Sequence, residues 1–352
     1  MPMLEGMIDH VIGVDTHRDT HAAAVLDPNG GVRAHVEVTA DQPGHARLLA
    51  IATRRAPGRR VWALEGTGSY GAGLATFLSA QGEWVVEIDR PKRSRGRTGA
   101  KSDPLDAIRA GREALARDQL ASPRQRGQRE ALRVLHTTRS QILQVGADAR
   151  RHLKALIVTA PDPLRQALRG RPWLQQARAC AALQAAPTDS IEVRATVQAM
   201  RLTAQRLLGA YAEAADLKQQ LHTLITTMAP GLLDQPGVGP ISAAQVLLAW
   251  SHPGRVRSEA AFAMLAGAAP IEASSGQVVR HRLNRGGDRQ LNRALHTIVM
   301  IRQLQHPATR AYTARRTGQG KSPREIRRCL KRMIARQLFR LLERTATNQI
   351  AA

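Results

Sequence analysis

The chain has 352 residues, of which 43% are hydrophobic and 3% aromatic, and its formal net charge is +24. No uninterrupted apolar stretch is long enough to cross a bilayer, and the first residues lack the apolar region of a secretory signal, so we expect no membrane partner and a cytoplasmic location. The two cysteines, Cys180 and Cys329, form no CxxC pair, which argues against a disulfide framework and a thiolate zinc site.

The positive charge is concentrated toward the end of the chain. Between His252 and Arg344 there are 20 Lys or Arg residues and 5 Asp or Glu residues. Such a surface attracts polyanions, and nucleic acid is the leading candidate. Because aromatic residues are few, we expect contacts with phosphates rather than stacking on unpaired bases. The alternative is a compositional bias toward Arg, which by itself does not explain the uneven distribution.

Residues 8–118 alternate between strand and helix patterns. The segments VIGVDTH, HAAAVLD and VRAHVEV predict three strands in a meander. Two further strands, RVWALE and EWVVEI, alternate with predicted helices, which gives the order βββαβαβα. This order indicates a mixed sheet flanked by helices, as in the ribonuclease H-like arrangement. A doubly wound nucleotide-binding domain is excluded, since it would begin βαβ with a glycine-rich loop.

Long helical patterns follow. Residues 124–228 contain two stretches of near-heptad apolar spacing, the second running from Val193 to Met228, and a proline-containing segment joins them. We expect a helical coiled-coil arm that also dimerises, and the alternative is an ordinary helical subdomain. Residues 230–345 predict a mainly helical C-terminal domain, so the fold class is α/β plus α.

Four acidic residues lie at the ends of predicted strands or at the start of a predicted helix. Asp15 and Glu65 each end a buried strand, and the first and fourth strands of such a sheet can be neighbours. Asp103 and Asp106 lie one helical turn apart at the start of a helix. Four converging acids imply a divalent metal, and oxygen ligands favour Mg²⁺ or Mn²⁺. Each acid also has a structural alternative, because Asp103 before a proline is a typical helix cap and Asp15 or Glu65 could begin a turn or cap a helix.

A basic segment, RPKRSRGRTGAK, separates the last strand from the helix of Asp103. Beside a metal cluster its cations would hold a phosphate backbone, whereas on their own they would form a solvated loop. The candidate nucleic-acid contacts in this segment are Arg93, Arg95, Arg97 and Lys101.

The segments GVDTHRDTH, ALEGTGSYG and KSDPLDA resemble the RuvC-like DEDD motif blocks of the insertion-sequence-110 family of transposases, which is related to the Piv-type DNA invertases. The resemblance implies a RuvC-like fold of the ribonuclease H type for residues 8–118. It also implies that Asp15, Glu65, Asp103 and Asp106 are the catalytic, metal-binding acids.

The segment LAGAAPIEASSGQVVRHRLNRGGDRQLNRALHTI resembles the second conserved region of the same family. From the residues alone it could be a polar turn, although a hydroxyl beside several Arg residues can attack a phosphodiester. The resemblance implies that Ser275, immediately before the glycine, is the nucleophile, with Ser274 as the alternative register. The candidate phosphate contacts here are Arg280, Arg282, Arg285 and Arg289.

The resemblance implies a DNA recombinase that excises and inserts its element through Mg²⁺-assisted cleavage and a covalent phosphoserine link. The acids and the serine would come from different subunits of a homo-oligomer, a dimer or tetramer, acting on double-stranded element ends and target. A structured noncoding bridge RNA would guide the reaction, and the protein would be associated with the bacterial nucleoid. The alternatives are a Holliday-junction resolvase or nuclease that uses the acids alone, and a non-catalytic DNA- or RNA-binding scaffold.

Overall fold

The computed structural model describes residues 3–88, 103–124, 126–273 and 281–351. Contacts within the chain divide it into two compact units, Met1–Arg126 and Gly127–Ala352. Each unit has its own hydrophobic core.

The first unit is built on a mixed sheet of five strands. In chain order these are β1 (His10–Thr16), β2 (Thr20–Leu26), β3 (Val32–Thr39), β4 (Arg60–Glu65) and β5 (Trp84–Ile88). Their order across the sheet is β3-β2-β1-β4-β5. The first three strands pair antiparallel, whereas β4 lies parallel to both β1 and β5. The predicted mixed sheet is therefore confirmed, with the meander first and with the first and fourth strands as neighbours.

Helices cover both faces of this sheet. They are α1 (Gln42–Arg55), α2 (Ala72–Ala80) and α3 (Asp103–Ala116). Apolar residues of α1 and α2 pack with Ile12, Val14, Trp62 and Leu64 on one face. Strand side chains alternate between faces, so the odd-numbered residues of β1 and β4 lie on the other face, where α3 packs.

Helix α3 lies unusually close to β1. A Cβ atom added to Gly13 would lie 2.5 Å from the backbone nitrogen of Gly111 and closer still to the carbonyl oxygen of Ala107. A Cβ on Gly111 would in turn lie 2.7 Å from a methyl carbon of Leu26. These two glycines therefore set the depth at which α3, and the acids on its first turn, lie against the sheet.

The second unit begins with two long helices, α4 (Gln128–Thr159) and α7 (Ile191–Met228), which pack along each other in opposite directions. The Nε of Arg139 donates to the carbonyl oxygen of Ala214 at 3.0 Å. The predicted proline-containing connection contains two short helices, α5 (Asp162–Leu168) and α6 (Trp173–Ala181), whose apolar residues fill the end of the hairpin. The pairing of the two long helices agrees with the expected hairpin, while a coiled-coil arm that dimerises stays a prediction.

The remaining helices of this unit form one core with the opposite end of that hairpin. They are α8 (Pro240–Trp250), α9 (Glu259–Leu265), α10 (Arg289–Gln305), α11 (Pro307–Gly318) and α12 (Pro323–Ala351). Two short antiparallel strands, β6 (Pro270–Glu272) and β7 (His281–Leu283), form a separate hairpin. None of the helices in the described parts of the chain has the length and apolar character needed to span a bilayer.

Candidate active site

The candidate active site lies at the edge of the sheet where β1 and β4 end. Val14 pairs with Leu64, so Asp15 and Glu65 each follow directly on a paired residue of neighbouring parallel strands. The Thr16 hydroxyl donates to the carbonyl oxygen of Glu65 at 3.0 Å and ties the two strand ends together. By strand alternation both acids lie on the α3 face. The sheet thus brings together two acids that are separated by about fifty residues of sequence.

Asp103 reaches the same edge from α3. The Nε2 atom of His17 lies 3.1 Å from Oδ2 of Asp15 and 3.4 Å from Oδ1 of Asp103. One ligand atom from each of these three residues lies within 4.8 Å of the others. Among the described residues this is the one group of three His, Cys, Asp or Glu side chains close enough to share a metal ion.

His17 was not among the sequence-predicted site residues. The signal for it was present, because in an extended chain a residue two positions after Asp15 points to the same side. Its imidazole forms a hydrogen bond with Asp15 that can orient this carboxylate, and it also offers a nitrogen ligand.

Burial and neighbouring charge both act on Asp15. Its side chain is only 11% exposed, and burial is the main reason why its pKa is raised above the usual value. His17 lowers that pKa, while the carboxylates of Asp106 and Asp103 raise it further. The ionised acids therefore repel one another at this edge, and a cation held between them would relieve both the repulsion and the cost of burial.

Asp106 lies one turn further along α3. Its Oδ1 accepts a hydrogen bond from Nη1 of Arg109 at 2.6 Å, a contact within the same helix. It lies near enough to act electrostatically on Asp15, but it is outside the group formed by Asp15, His17 and Asp103. Glu65, which is half-buried, is outside that group as well.

The turn after Glu65 explains the glycines of ALEGTGSYG. Gly66 has a φ of 64°, in the left-handed region that favours glycine, and its carbonyl oxygen accepts from the backbone nitrogens of Ser69 and Gly71. A Cβ on Gly71 would lie 2.8 Å from the carbonyl oxygen of Glu65. Both glycines thus allow the chain to fold tightly against the end of β4.

The donor set fits a hard divalent cation. Carboxylate oxygens are the preferred protein ligands of Mg²⁺ and Mn²⁺, and here two of them, from Asp15 and Asp103, already share one site. The burial of Asp15 and its repulsion by Asp106 and Asp103 favour a bound cation at this site. Asp106 acts electrostatically on Asp15, and the backbone of Glu65 is tied to Thr16 at the same edge of the sheet.

Several sequence-predicted residues fall outside the described residues. These are Arg93, Arg95, Arg97, Lys101, Ser274, Ser275 and Arg280. The strands on either side of the serine segment, β6 and β7, are described, with Glu272 paired to His281. Arg282 is exposed on β7, and the exposed Arg285 and Arg289 line a cavity of the second unit.

Comparison with known proteins gives two family matches. A DEDD transposase model of IS110 type, described as "Transposase", matches residues 12–160, which include the four acids. A second, described as "Transposase IS116/IS110/IS902 family", matches residues 230–314, which include the serine segment.

A curated relative agrees with these matches. The "Insertion element IS110 uncharacterized 43.6 kDa protein" of Streptomyces coelicolor is 30% identical over 142 residues. That alignment covers 40% of this chain and 35% of the relative. The acid-bearing sheet edge and the two family matches lead to one conclusion: the chain belongs to the IS110 family of DEDD transposases.

Proposed function

We propose that this protein is a site-specific DNA transposase that excises and inserts its insertion sequence by cleaving and exchanging DNA strands. One observation carries the proposal: the fold brings Asp15 and Asp103, from distant parts of the sequence, into one site at the edge of a ribonuclease H-like sheet. The family matches on both the acid-bearing and the serine-bearing regions support the same reading.

Asp15, Glu65, Asp103 and Asp106 would hold Mg²⁺ or Mn²⁺ in this proposal. A bound divalent cation would stabilise negative charge that develops on phosphate oxygens during cleavage. The chain's own contribution is to keep the carboxylates in place. His17 orients Asp15 through a hydrogen bond and lies 3.4 Å from Asp103, and the glycine turn after Glu65 lets the backbone fold tightly against the end of β4.

Ser275 is the proposed nucleophile. Its hydroxyl oxygen would form a bond to phosphorus while the bond from phosphorus to a deoxyribose oxygen breaks, the serine losing a proton and the leaving oxygen gaining one. The phosphodiester energy is thereby kept in a phosphoserine link, from which a second DNA strand can be joined. Arg280, Arg282, Arg285 and Arg289 would neutralise the phosphates around this serine.

The proposed macromolecular partners are duplex DNA, a noncoding bridge RNA and further copies of this chain. The surplus of basic residues in the second unit, together with the scarcity of aromatic residues, suits binding of duplexes through phosphates and shape. Arg93, Arg95, Arg97 and Lys101 would add contacts beside the acids. We expect a homo-oligomer, either a dimer or a tetramer, because of the long paired helices α4 and α7.

The test is a search for a covalent protein–DNA adduct. The protein is incubated with Mg²⁺, DNA carrying the element ends and RNA transcribed from the element's noncoding flanks, and is then denatured and resolved by electrophoresis. We expect an adduct that is lost in Ser275→Ala and kept in Ser274→Ala. Loss of the adduct in Ser274→Ala alone would identify Ser274 as the nucleophile. No adduct from wild type, despite DNA cleavage, would contradict the serine mechanism.

The second candidate is a resolvase or nuclease that uses only the acidic site. The observation that favours it is that Asp15, His17 and Asp103, all in the first unit, lie close enough to one another to share a metal ion. In that case DNA cleavage would persist in Ser275→Ala and disappear in Asp15→Asn. A non-catalytic nucleic-acid scaffold would bind DNA and show neither activity.

A further inference from the structure

A basic cavity lies between α10 and α12, next to the hairpin of β6 and β7. Its volume is about 590 Å³, large enough for a phosphate with its sugar. Six cationic side chains line it: Arg285, Arg289, Arg324, Arg327, Arg328 and Lys331. Among the described residues that line it there is no Asp or Glu. Asp288, which lies between two of the cations in sequence, instead caps α10 by accepting from the backbone nitrogens of Gln290 and Leu291.

The floor of the cavity is held by a chain of hydrogen bonds. Lys331 donates to the side-chain oxygen of Asn292 at 2.8 Å, and the Asn292 amide donates to the carbonyl oxygen of Ala266 at 2.7 Å. The ammonium group thereby gains a fixed position without its charge being neutralised. Burial and the nearby Arg328 lower the pKa of Lys331, so the fold keeps this cation at an energetic cost.

Two further groups show that positive charge here is uncompensated. The Nε of Arg327 is buried and, within the described part of the chain, has no hydrogen-bond partner. Burial, Lys331 and Arg327 lower the pKa of His296, which also lines the cavity. A buried donor that has no acceptor among the described residues, and a lining of cations in which no described residue is acidic, both fit an anion with multiple acceptor oxygens.

The position of the cavity indicates which anion. Ala268 lies just before β6 and Asn284 just after β7, so the cavity wall includes both ends of the hairpin that carries residues 274–280. Residues 274–280, which include Ser275, connect these two strands in the sequence. We propose that this cavity binds a backbone phosphate of the DNA strand, next to the phosphate at which that strand is cleaved. Arg327, Lys331 and Asn292 are its main contacts. The identity of the strand rests on the proposed function, whereas the anion site itself does not.

The test compares DNA binding by full-length variants in the absence of divalent metal, so that no cleavage occurs. Each of two single variants, Arg327→Gln and Lys331→Gln, is titrated into a labelled DNA duplex that carries an element end. The fluorescence anisotropy of the DNA is measured over a series of salt concentrations. Arg344→Gln is the matched control, because this exposed Arg on the same helix lies outside the cavity and loses the same charge. Arg327→Gln is the safer variant for folding, since its buried Nε makes no hydrogen bond that the change would break.

We expect each cavity variant to weaken DNA binding about tenfold and to reduce the slope of log affinity against log salt by about one. Arg344→Gln should change both quantities far less. If both cavity variants match Arg344→Gln, the cavity is not a DNA site and the proposal is wrong. If they weaken binding of a labelled element-flank RNA and leave DNA binding unchanged, the phosphate belongs to RNA and the assignment to DNA is overturned.

The outcomes for this cavity and for the proposed function can be told apart. Loss of DNA affinity in the cavity variants, with no covalent adduct from wild type, would keep the phosphate site and refute the serine mechanism. An adduct from wild type, with unchanged DNA affinity in the cavity variants, would keep the mechanism and refute the site.

Discussion

Replacing Gly13 by alanine should damage the candidate active site without touching any of its side chains. Gly13 lies on β1 two residues before Asp15, facing the backbone of α3. The added Cβ would overlap the Ala107 carbonyl oxygen and lie 2.5 Å from the Gly111 nitrogen. Because the colliding atoms are backbone, no change of side-chain rotamer can relieve the overlap, and α3 must move outward.

The structure allows the size of the effect to be set. Overpacking of a core costs about 1–3 kcal/mol, and close contact with two backbone atoms of α3 places Gly13→Ala at about 3 kcal/mol. An outward movement of α3 of about 1 Å carries Asp103 away from Asp15, and such a misplacement lowers catalytic rates about 100-fold. We therefore expect reduced stability, and a larger proportional loss of strand cleavage measured at a temperature where the variant is folded.

The assay follows urea unfolding through the fluorescence of the four tryptophans, of which Trp62 on β4 is fully buried, together with Mg²⁺-dependent DNA cleavage. Gly209→Ala is the matched control, because this exposed glycine in α7 has nothing within 4 Å of an added Cβ. That control should gain about 1 kcal/mol from helix propensity and leave cleavage unchanged. Wild-type stability and cleavage in Gly13→Ala would refute the argument that the glycine contact sets the position of Asp103.

Two other predictions concern buried side chains. Burial is the main cause that lowers the pKa of His21 from 6.5 to about 4. As the pH falls, His21 is therefore protonated in the unfolded chain before it is protonated in the folded protein. The free energy of unfolding should fall by about 3 kcal/mol as the pH drops through that interval. His21→Leu should remove this part of the acid sensitivity in urea unfolding at several pH values, and an unchanged pH dependence would contradict the assignment. Burial raises the pKa of the Cys180 thiol to about 11, whereas Cys329 is exposed. A thiol reagent at about pH 8 should label Cys329 quickly and Cys180 only on unfolding, because a buried protonated thiol is inert. Equally fast labelling of both cysteines would show that the core around α6 is accessible to the reagent.

The mixed sheet of the first unit was predictable from sequence. Three strand patterns joined by turns favour a meander, and strands separated by helices favour parallel crossover connections. The sequence indicated only that β1 and β4 can be neighbours, and their pairing in the structure places Asp15 and Glu65 at one edge. Periodicity also gave the two long helices of the second unit, since apolar spacing over many turns is a strong signal.

Details that depend on packing between distant residues were not accessible. The close approach of α3 to β1 depends on two glycines that carry no side-chain pattern. The contact of His17 with Asp103 appears only when α3 is placed against the sheet. The short helices α5 and α6 were predicted only as a connection, because too few turns are present for periodicity to show.

The most direct test of the account is strand transfer by Glu65→Gln. This substitution keeps the shape of the side chain and removes the charge that a metal would require. The reaction contains Mg²⁺, element ends, target DNA and RNA from the element's flanks, and joined donor–target product is measured beside the urea midpoint of the variant. The account predicts that the midpoint is preserved and the product is lost. Product formed at the wild-type rate would show that Glu65 is not part of the metal site and would contradict the central claim.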